Sequence, residues 1–252
     1  MNKILTLENV TLSYQTKTSE TKAVSNLNFS VSEGEFVAMI GPSGCGKTSI
    51  LSLIAGLIKP SSGKITMFGS EVIEPSKRTG YMLQKDHLFP WRNIENNVFL
   101  PLEIKKNKTE ENLAYSKGLI EKYGLREFSK YYPKQLSGGM RQRVALIRTL
   151  SQKPDILLLD EPFSALDYQT RLSVCDDVYK IIKSEKKTAI LVTHDISEAI
   201  SLADTVLVLS KRPATILDSC EMDIDKSLTP LKRREHPAFS KWFEKLWKEL
   251  NL

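Results

Sequence analysis

Apolar residues recur along the chain in two rhythms. Positions 4–7 and 10–14 alternate or carry β-branched side chains, as do 23–31, and each predicts a half-buried strand. The polar stretch 15–22 predicts a loop between them, and Ser-Glu-Gly-Glu at 32–35 predicts a turn. Residues 36–40 are continuously apolar and stop at Gly41, the pattern of a strand covered on both faces. Helical spacing follows at 47–57, closed by the Pro-Ser-Ser-Gly turn at 60–63, with short strands expected at 64–68 and 79–83. From about 90 to 150 the pattern turns charged and helical, with helices at 108–123 and 139–151, and predicts a helical insertion. Strand patterns return at 156–159, 188–193 and 205–209 with helices between them. Such alternation predicts a parallel sheet with crossover helices. Beyond about 225, Lys and Arg accumulate. Phe239, Trp242, Phe243, Leu246 and Trp247 fall three and four apart and predict an amphipathic helix. Packing on its own chain is the simplest use for that helix; a dimer contact or a lipid surface are the alternatives.

Composition narrows the class. With 252 residues, 41% hydrophobic and 26% charged, the chain fits one large α/β domain, or a core with an insertion, and excludes a fibrous or mainly disordered protein. Lys and Arg total 36 against 30 Asp and Glu, a net charge of +6, which suits an anionic partner without choosing among nucleotide, nucleic acid and lipid. Cys45, Cys175 and Cys220 are too few and too scattered for a disulfide framework or a zinc pattern, and imply a reducing compartment. No run approaches the ~20 apolar residues of a membrane span, and the N-terminus carries no signal-peptide pattern. Work at a membrane is therefore expected through docking onto another protein.

Gly41-Pro42-Ser43-Gly44-Cys45-Gly46-Lys47-Thr48 matches G-x-x-x-x-G-K-[ST] and lies between an apolar strand and a helix, the context that the motif requires. Glycines let the backbone curl so that successive N–H groups point inward at phosphate oxygens. The helix N-terminus behind them adds partial positive charge. Lys47 is expected to reach the β- and γ-phosphates, and the Thr48 hydroxyl to ligate Mg²⁺. Cys45 lies where backbone is used rather than side chain, and modification of its thiol is expected to block access of the nucleotide. A second cluster ends the apolar run 156–159 with Asp160 and Glu161. Acidic residues at the C-terminal end of a parallel strand sit where such sheets bind ligands. Asp160 is expected in the Mg²⁺ shell and Glu161 beside an attacking water. Phosphoryl transfer asks mainly for such positioning and charge neutralisation. The long separation of Lys47 from Asp160 demands an insertion, which 90–150 supplies.

These motifs, with five more features, resemble the ATP-binding subunit of an ABC transporter over roughly residues 3–220. Leu136-Ser137-Gly138-Gly139-Met140 resembles the signature motif, although the family most often has Gln at the fifth position. Ser164-Ala165-Leu166-Asp167 resembles the D-loop, Gln84 the Q-loop glutamine, His194 the switch histidine, and Tyr14 the aromatic that stacks on adenine. The resemblance implies a P-loop NTPase: a RecA-like parallel core, an antiparallel β subdomain and an inserted helical subdomain. It implies an ATPase domain over 1–225 and a separate tail over 226–252. ATP and Mg²⁺ are the implied cofactors. Residues 41–49, including Ser49, with Tyr14, Ser137, Gly138, Gly139 and Asp167, would contact nucleotide. Thr48, Gln84 and Asp160 would attend the metal, and Lys47, Gln84, Glu161 and His194 would carry catalysis. The phosphate loop of one copy would face Ser137–Gly139 of another across two ATP molecules.

Further partners implied are transmembrane permease subunits and, through them, a solute-binding protein, with no nucleic acid. The place of work is the cytoplasmic face of the cell membrane, peripherally. Arg141-Gln142-Arg143, Leu88-Phe89-Pro90-Trp91, Arg212-Pro213 and the aromatic tail resemble the branch that imports nitrate, sulfonates and taurine; related systems carry thiamine-precursor pyrimidines. Residues 88, 89 and 91 would line a groove for the permease or simply pack the subdomain. Three other readings stand beside this one: an export ATPase, a soluble ABC-type ATPase acting on ribosomes or DNA, and a binding module without catalysis.

Overall fold

The computed structural model describes residues 2–15 and 19–250. In chain order the elements are β1 (Lys3–Gln15), β2 (Glu20–Ser32), β3 (Phe36–Ile40), α1 (Lys47–Ile54), β4 (Ser62–Met67), β5 (Ser70–Glu71) and β6 (Thr79–Met82). Then come α2 (Ile94–Ile104), α3 (Glu110–Lys122), a 3-10 turn (Pro133–Gln135), α4 (Gly138–Leu150), β7 (Ile156–Asp160) and α5 (Tyr168–Ser184). The chain ends with β8 (Thr188–Thr193), α6 (Ile196–Leu202), β9 (Thr205–Leu209), β10 (Ile216–Glu221), α7 (Pro230–Glu235) and α8 (Pro237–Leu250). Two compact units result: Met1–Ser76 with Lys186–Leu252, and Lys77–Glu185.

In the first unit, β3 lies between β8 and β9 and is parallel to both, while β10 runs antiparallel along the outer edge of β9. Every residue of β3 and β8 is buried, which is why both read as unbroken apolar runs. A separate antiparallel sheet has the order β2-β1-β4-β5. The segments expected at 4–7 and 10–14 are one strand. Its alternation breaks at Asn9, where φ is 51° and the register against β2 shifts, the signature of a bulge. The loop expected at 15–22 is corrected at its flanks: Gln15 pairs with Glu20, so the polar residues are the exposed ends of a hairpin. Residues 16–18 of that expectation lie outside the described residues. α1 ends before the expected 57 because Gly56, at φ 72°, turns the chain where a Cβ would meet the Glu74 carbonyl oxygen at 2.5 Å.

β10 escaped the sequence pattern because an edge strand carrying Asp218 and Ser219 needs no apolar run. α8 forms as expected and packs on its own chain, against α6 and β9, through the buried Leu246. Lys245 donates to Asp218 Oδ2 of β10 at 2.7 Å, and Arg233 of α7 is fully buried, donating to the Ala203 carbonyl at the end of α6.

In the second unit, β6 and β7 pair in parallel, from Thr79 with Ile156 to Met82 with Leu159. α4 packs on α2, α3 and α5. α2 falls within the expected helical insertion, although Asn residues and Pro101 interrupt its apolar spacing and left its bounds undrawn. Asn93 caps it, accepting from the Asn96 N–H. The buried Asn97 exchanges hydrogen bonds with the Phe89 backbone and so fixes the turn ahead of the helix. Leu88 is buried there, and Trp91 is exposed, stacked on Phe89 with centroids 4.9 Å apart. Among the described residues no helix is long and apolar enough to cross a membrane.

Candidate nucleotide-binding site

The register of the first unit brings two motifs together. Ile40 pairs with Thr193, so the chain leaves β3 at Gly41 beside His194, at the carboxyl edge where α/β sheets bind ligands. The Cys45 N–H donates to the Pro42 carbonyl at 3.2 Å and closes a turn whose third residue is Gly44 at φ 71°. Gly46 follows at φ 129°, where a Cβ would lie 2.8 Å from the Ala23 carbonyl oxygen. Both positions therefore require glycine. Lys47 is buried, and its ammonium folds back over the loop to donate to the carbonyls of Gly41 at 2.8 Å and Pro42 at 3.0 Å. No acidic residue occupies the first turn of α1, so nothing on the helix itself offsets its positive N-terminal end. The exposed Tyr14 on β1 has its hydroxyl 3.0 Å from Ser49 Oγ, which puts an aromatic ring beside the start of α1. The Cys45 thiol, whose modification is expected to block the nucleotide, is buried against Gly41, 1% exposed.

The second unit assembles another group by the same logic. Parallel pairing of β6 with β7 brings Gln84 near the acidic strand end, its amide 3.4 Å from Glu161 Oε2. Asp160 is buried, with the Tyr81 hydroxyl 3.4 Å from Oδ2. Glu161 has φ 43°, a left-handed conformation that costs a non-glycine residue about 1–2 kcal/mol. The Ser164 N–H and hydroxyl hold it there by donating to its carbonyl at 3.2 and 3.0 Å. Ser137 is the N-cap of α4, accepting from the Met140 N–H, and Asp167 is the N-cap of α5. Hydrogen bonds from Thr170 hold the Asp167 carboxyl below its usual range. The signature glycines also have a packing role: a Cβ on Gly139 would lie 2.6 Å from Val174 of α5, and one on Gly138 would lie 2.9 Å from Leu166.

Three arginines matter in ways the sequence did not reveal. Arg141 donates to Asp86 Oδ2 at 3.0 Å and to the Leu136 carbonyl at 2.9 Å, tying the signature segment to the residues after Gln84. Arg148 reaches the carbonyls of Asp86 and His87. Arg212 lies on the turn after β9 and donates to the Gly44 carbonyl. All three were visible only as charges, two of them inside branch-like motifs.

The family described as ABC transporter matches residues 24–164. The chain belongs to that family. An uncharacterized ABC transporter ATP-binding protein of Bacillus subtilis, YtlC, is 48% identical over 248 residues, covering 98% of this chain and 95% of its own. The aliphatic sulfonates import ATP-binding protein SsuB of Bacillus licheniformis is 40% identical over 231 residues, covering 91% of this chain and 88% of its own. Among solved structures, a dimeric post-hydrolysis state of the cassette MJ0796 bound to ADP and phosphate superposes with a TM-score of 0.75 at 30% identity. It covers 88% of this chain and 100% of that one. The ABC cassette described here thus has the P-loop NTPase fold, with parallel and antiparallel sheets and a helical part, and is an ATPase of the transport class.

Proposed function

We propose that this cassette hydrolyses ATP to drive import of a small solute of the nitrate, sulfonate or taurine kind, with thiamine-precursor-like compounds as the alternative. The observation that carries the ATP half is the phosphate loop: a closed turn around Gly44, with the Lys47 ammonium folded over it and an acid-free helix end behind. The solute half rests on the 40% identity with an aliphatic sulfonate importer subunit. Residues 41–49 cradle the phosphates, Lys47 meets the β- and γ-phosphates, and Tyr14 stacks on adenine. Glu161 polarises the attacking water, Gln84 orients it, and His194 contacts the γ-phosphate. Thr48, Gln84 and Asp160 offer a hydroxyl, an amide oxygen and a carboxylate, a hard oxygen set that fits Mg²⁺. The chemistry that such an ion supplies is charge neutralisation at the phosphate oxygens.

In this reading Ser137, Gly138, Gly139 and Asp167 serve the ATP held by a second copy, so catalysis requires a dimer. Residues 1–225 form the ATPase domain, with the helical part at about 90–150 inserted and 226–252 appended. Permease subunits dock the cassette at the cytoplasmic face of the membrane, and a solute-binding protein feeds them. Glu161→Gln tests the catalytic half: the amide keeps the shape and loses the charge that activates water. The variant is expected to bind ATP, elute as a dimer on a sizing column and show no turnover; steady hydrolysis at the wild-type rate sinks the assignment. Uptake of labelled alkanesulfonate by cells with and without the gene tests the solute half, and equal uptake overturns it.

A further inference from the structure

We infer that Arg212 is a positioning residue for the phosphate loop, locking the Gly44–Cys45 peptide in the orientation that takes ATP. The inference rests on the reading of that loop as the ATP cradle.

The loop needs outside support. Its shape depends on Gly44 and Gly46, both at positive φ, and glycine reaches those conformations because it is free to leave them. The Gly44–Cys45 peptide is held at both ends. Its N–H donates to the Pro42 carbonyl, and its carbonyl accepts two hydrogen bonds from the Arg212 guanidinium, from Nε at 3.1 Å and Nη2 at 2.8 Å. Rotation of this peptide breaks both contacts together.

Arg212 is itself presented on a closed turn. The Ser210 N–H donates to the Thr215 carbonyl at 3.0 Å, the Thr215 N–H donates to Ser210 Oγ at 2.9 Å, and Ser210 Oγ donates to the Pro213 carbonyl at 3.0 Å. That turn is anchored on β2: the Ala214 N–H donates to the Ala23 carbonyl, and the Ser25 N–H to the Ala214 carbonyl, each at 2.9 Å. Gly46 abuts the same Ala23 carbonyl and the Ala214 methyl. The turn and the phosphate loop therefore share one wall, and Arg212 spans the remaining gap. A planar fork that places two donors on one carbonyl restricts that carbonyl more than a single flexible donor does. Holding the loop before the nucleotide arrives removes an ordering cost from binding and leaves the chemical step alone.

The test is ATP binding by equilibrium dialysis and steady-state hydrolysis, on the full chain and its Arg212→Ala, Arg212→Lys and Arg212→Gln variants. Arg212→Ala is expected to weaken ATP binding about tenfold and to raise KM by the same factor, with kcat at saturation within about twofold. The Cys45 amide, measured without nucleotide, is expected to exchange its hydrogen faster in that variant. Arg212→Lys, which keeps the charge and one donor, recovers part of the affinity. Should Arg212→Ala not fold, Arg212→Gln, an uncharged donor, carries the same comparison. Wild-type affinity in the variant, or a fall in kcat at unchanged KM, overturns the inference. Lys47→Ala run alongside separates the two claims: if it binds ATP as well as wild type, the reading of the loop itself fails.

Discussion

The phosphate loop and the signature segment are supported in different ways. The loop takes its shape from backbone, with glycines at positive φ and a turn closed by Cys45 and Pro42, and its two cationic side chains, Lys47 and Arg212, meet only backbone carbonyls. The signature segment is held by charged side chains: Arg141 bridges Asp86 and the Leu136 carbonyl, and Arg148 caps the carbonyls of Asp86 and His87. The Arg141 and Asp86 side chains stay 37% and 27% exposed. Ion pairs open to water to that degree are worth little and break at little cost. On the reading proposed above, a cradle for phosphate has to keep one shape, whereas a signature segment that serves a second copy's ATP has to change partners as nucleotide turns over. The two kinds of support match those two demands.

The largest effect is expected where the backbone is challenged. Gly46→Ala puts a Cβ 2.8 Å from a carbonyl oxygen at a φ of 129° that alanine rarely adopts. The local cost is about 1–3 kcal/mol from the dihedral alone, and the contact adds to it. We expect ATP affinity to fall by about a hundredfold, read by the same dialysis, while the far-ultraviolet circular dichroism stays that of the folded chain. Affinity within twofold of wild type would show that side chains, not backbone, hold the loop.

A smaller effect is expected at the signature segment. Asp86→Ala removes the partner of Arg141 and the acceptor of the Leu88 N–H, whereas Asp86→Asn keeps the second and loses the charge together with the Oδ2 acceptor of Arg141. For a partly exposed pair we expect about 0.5–1 kcal/mol, a thermal midpoint lower by about 1–4 °C, with ATP affinity unchanged. A loss of ATP affinity as large as that of Gly46→Ala would erase the distinction between the two regions.

That distinction also explains what was legible in the sequence. The phosphate loop, Asp160, Glu161 and the strands β3, β8 and β9 could be read because their chemistry is local: glycine at fixed spacing, or apolar runs covered on both faces. Tyr14 beside Ser49 and Gln84 beside Glu161 depend on sheet register, which neighbouring residues alone do not state. The partners of Arg212, Arg141 and Arg148 could not be read, because an arginine, whether on a turn or on α4, that meets backbone carbonyls or a carboxylate far along the chain leaves no pattern. β10 and the bounds of α2 could not be read for a related reason: an edge strand and a helix broken by Asn and Pro lack the apolar period that announces an element.

The smallest effect is expected at the end of α2, which carries a group of partly exposed charges. Arg92 donates to both oxygens of Glu103 at 2.8 and 3.1 Å, and Lys108 donates to one of them at 3.3 Å. The hydrogen bond from Arg92, and then that from Lys108, pulls the Glu103 carboxyl down to about 2 from its ordinary 4.5. A carboxyl depressed in the folded state contributes stability that is present above its unfolded pKa and is lost as pH falls through the folded value. The window here runs from about pH 4.5 down to about 2. We therefore expect the difference in thermal midpoint between wild type and Glu103→Gln to be constant above pH 5 and to shrink steadily toward pH 2. Since the side chains are 27–44% exposed, the difference should also shrink in high salt. A difference that survives molar salt would mean that this pair is held by packing, and the second unit would then resemble the phosphate loop more than the contrast allows.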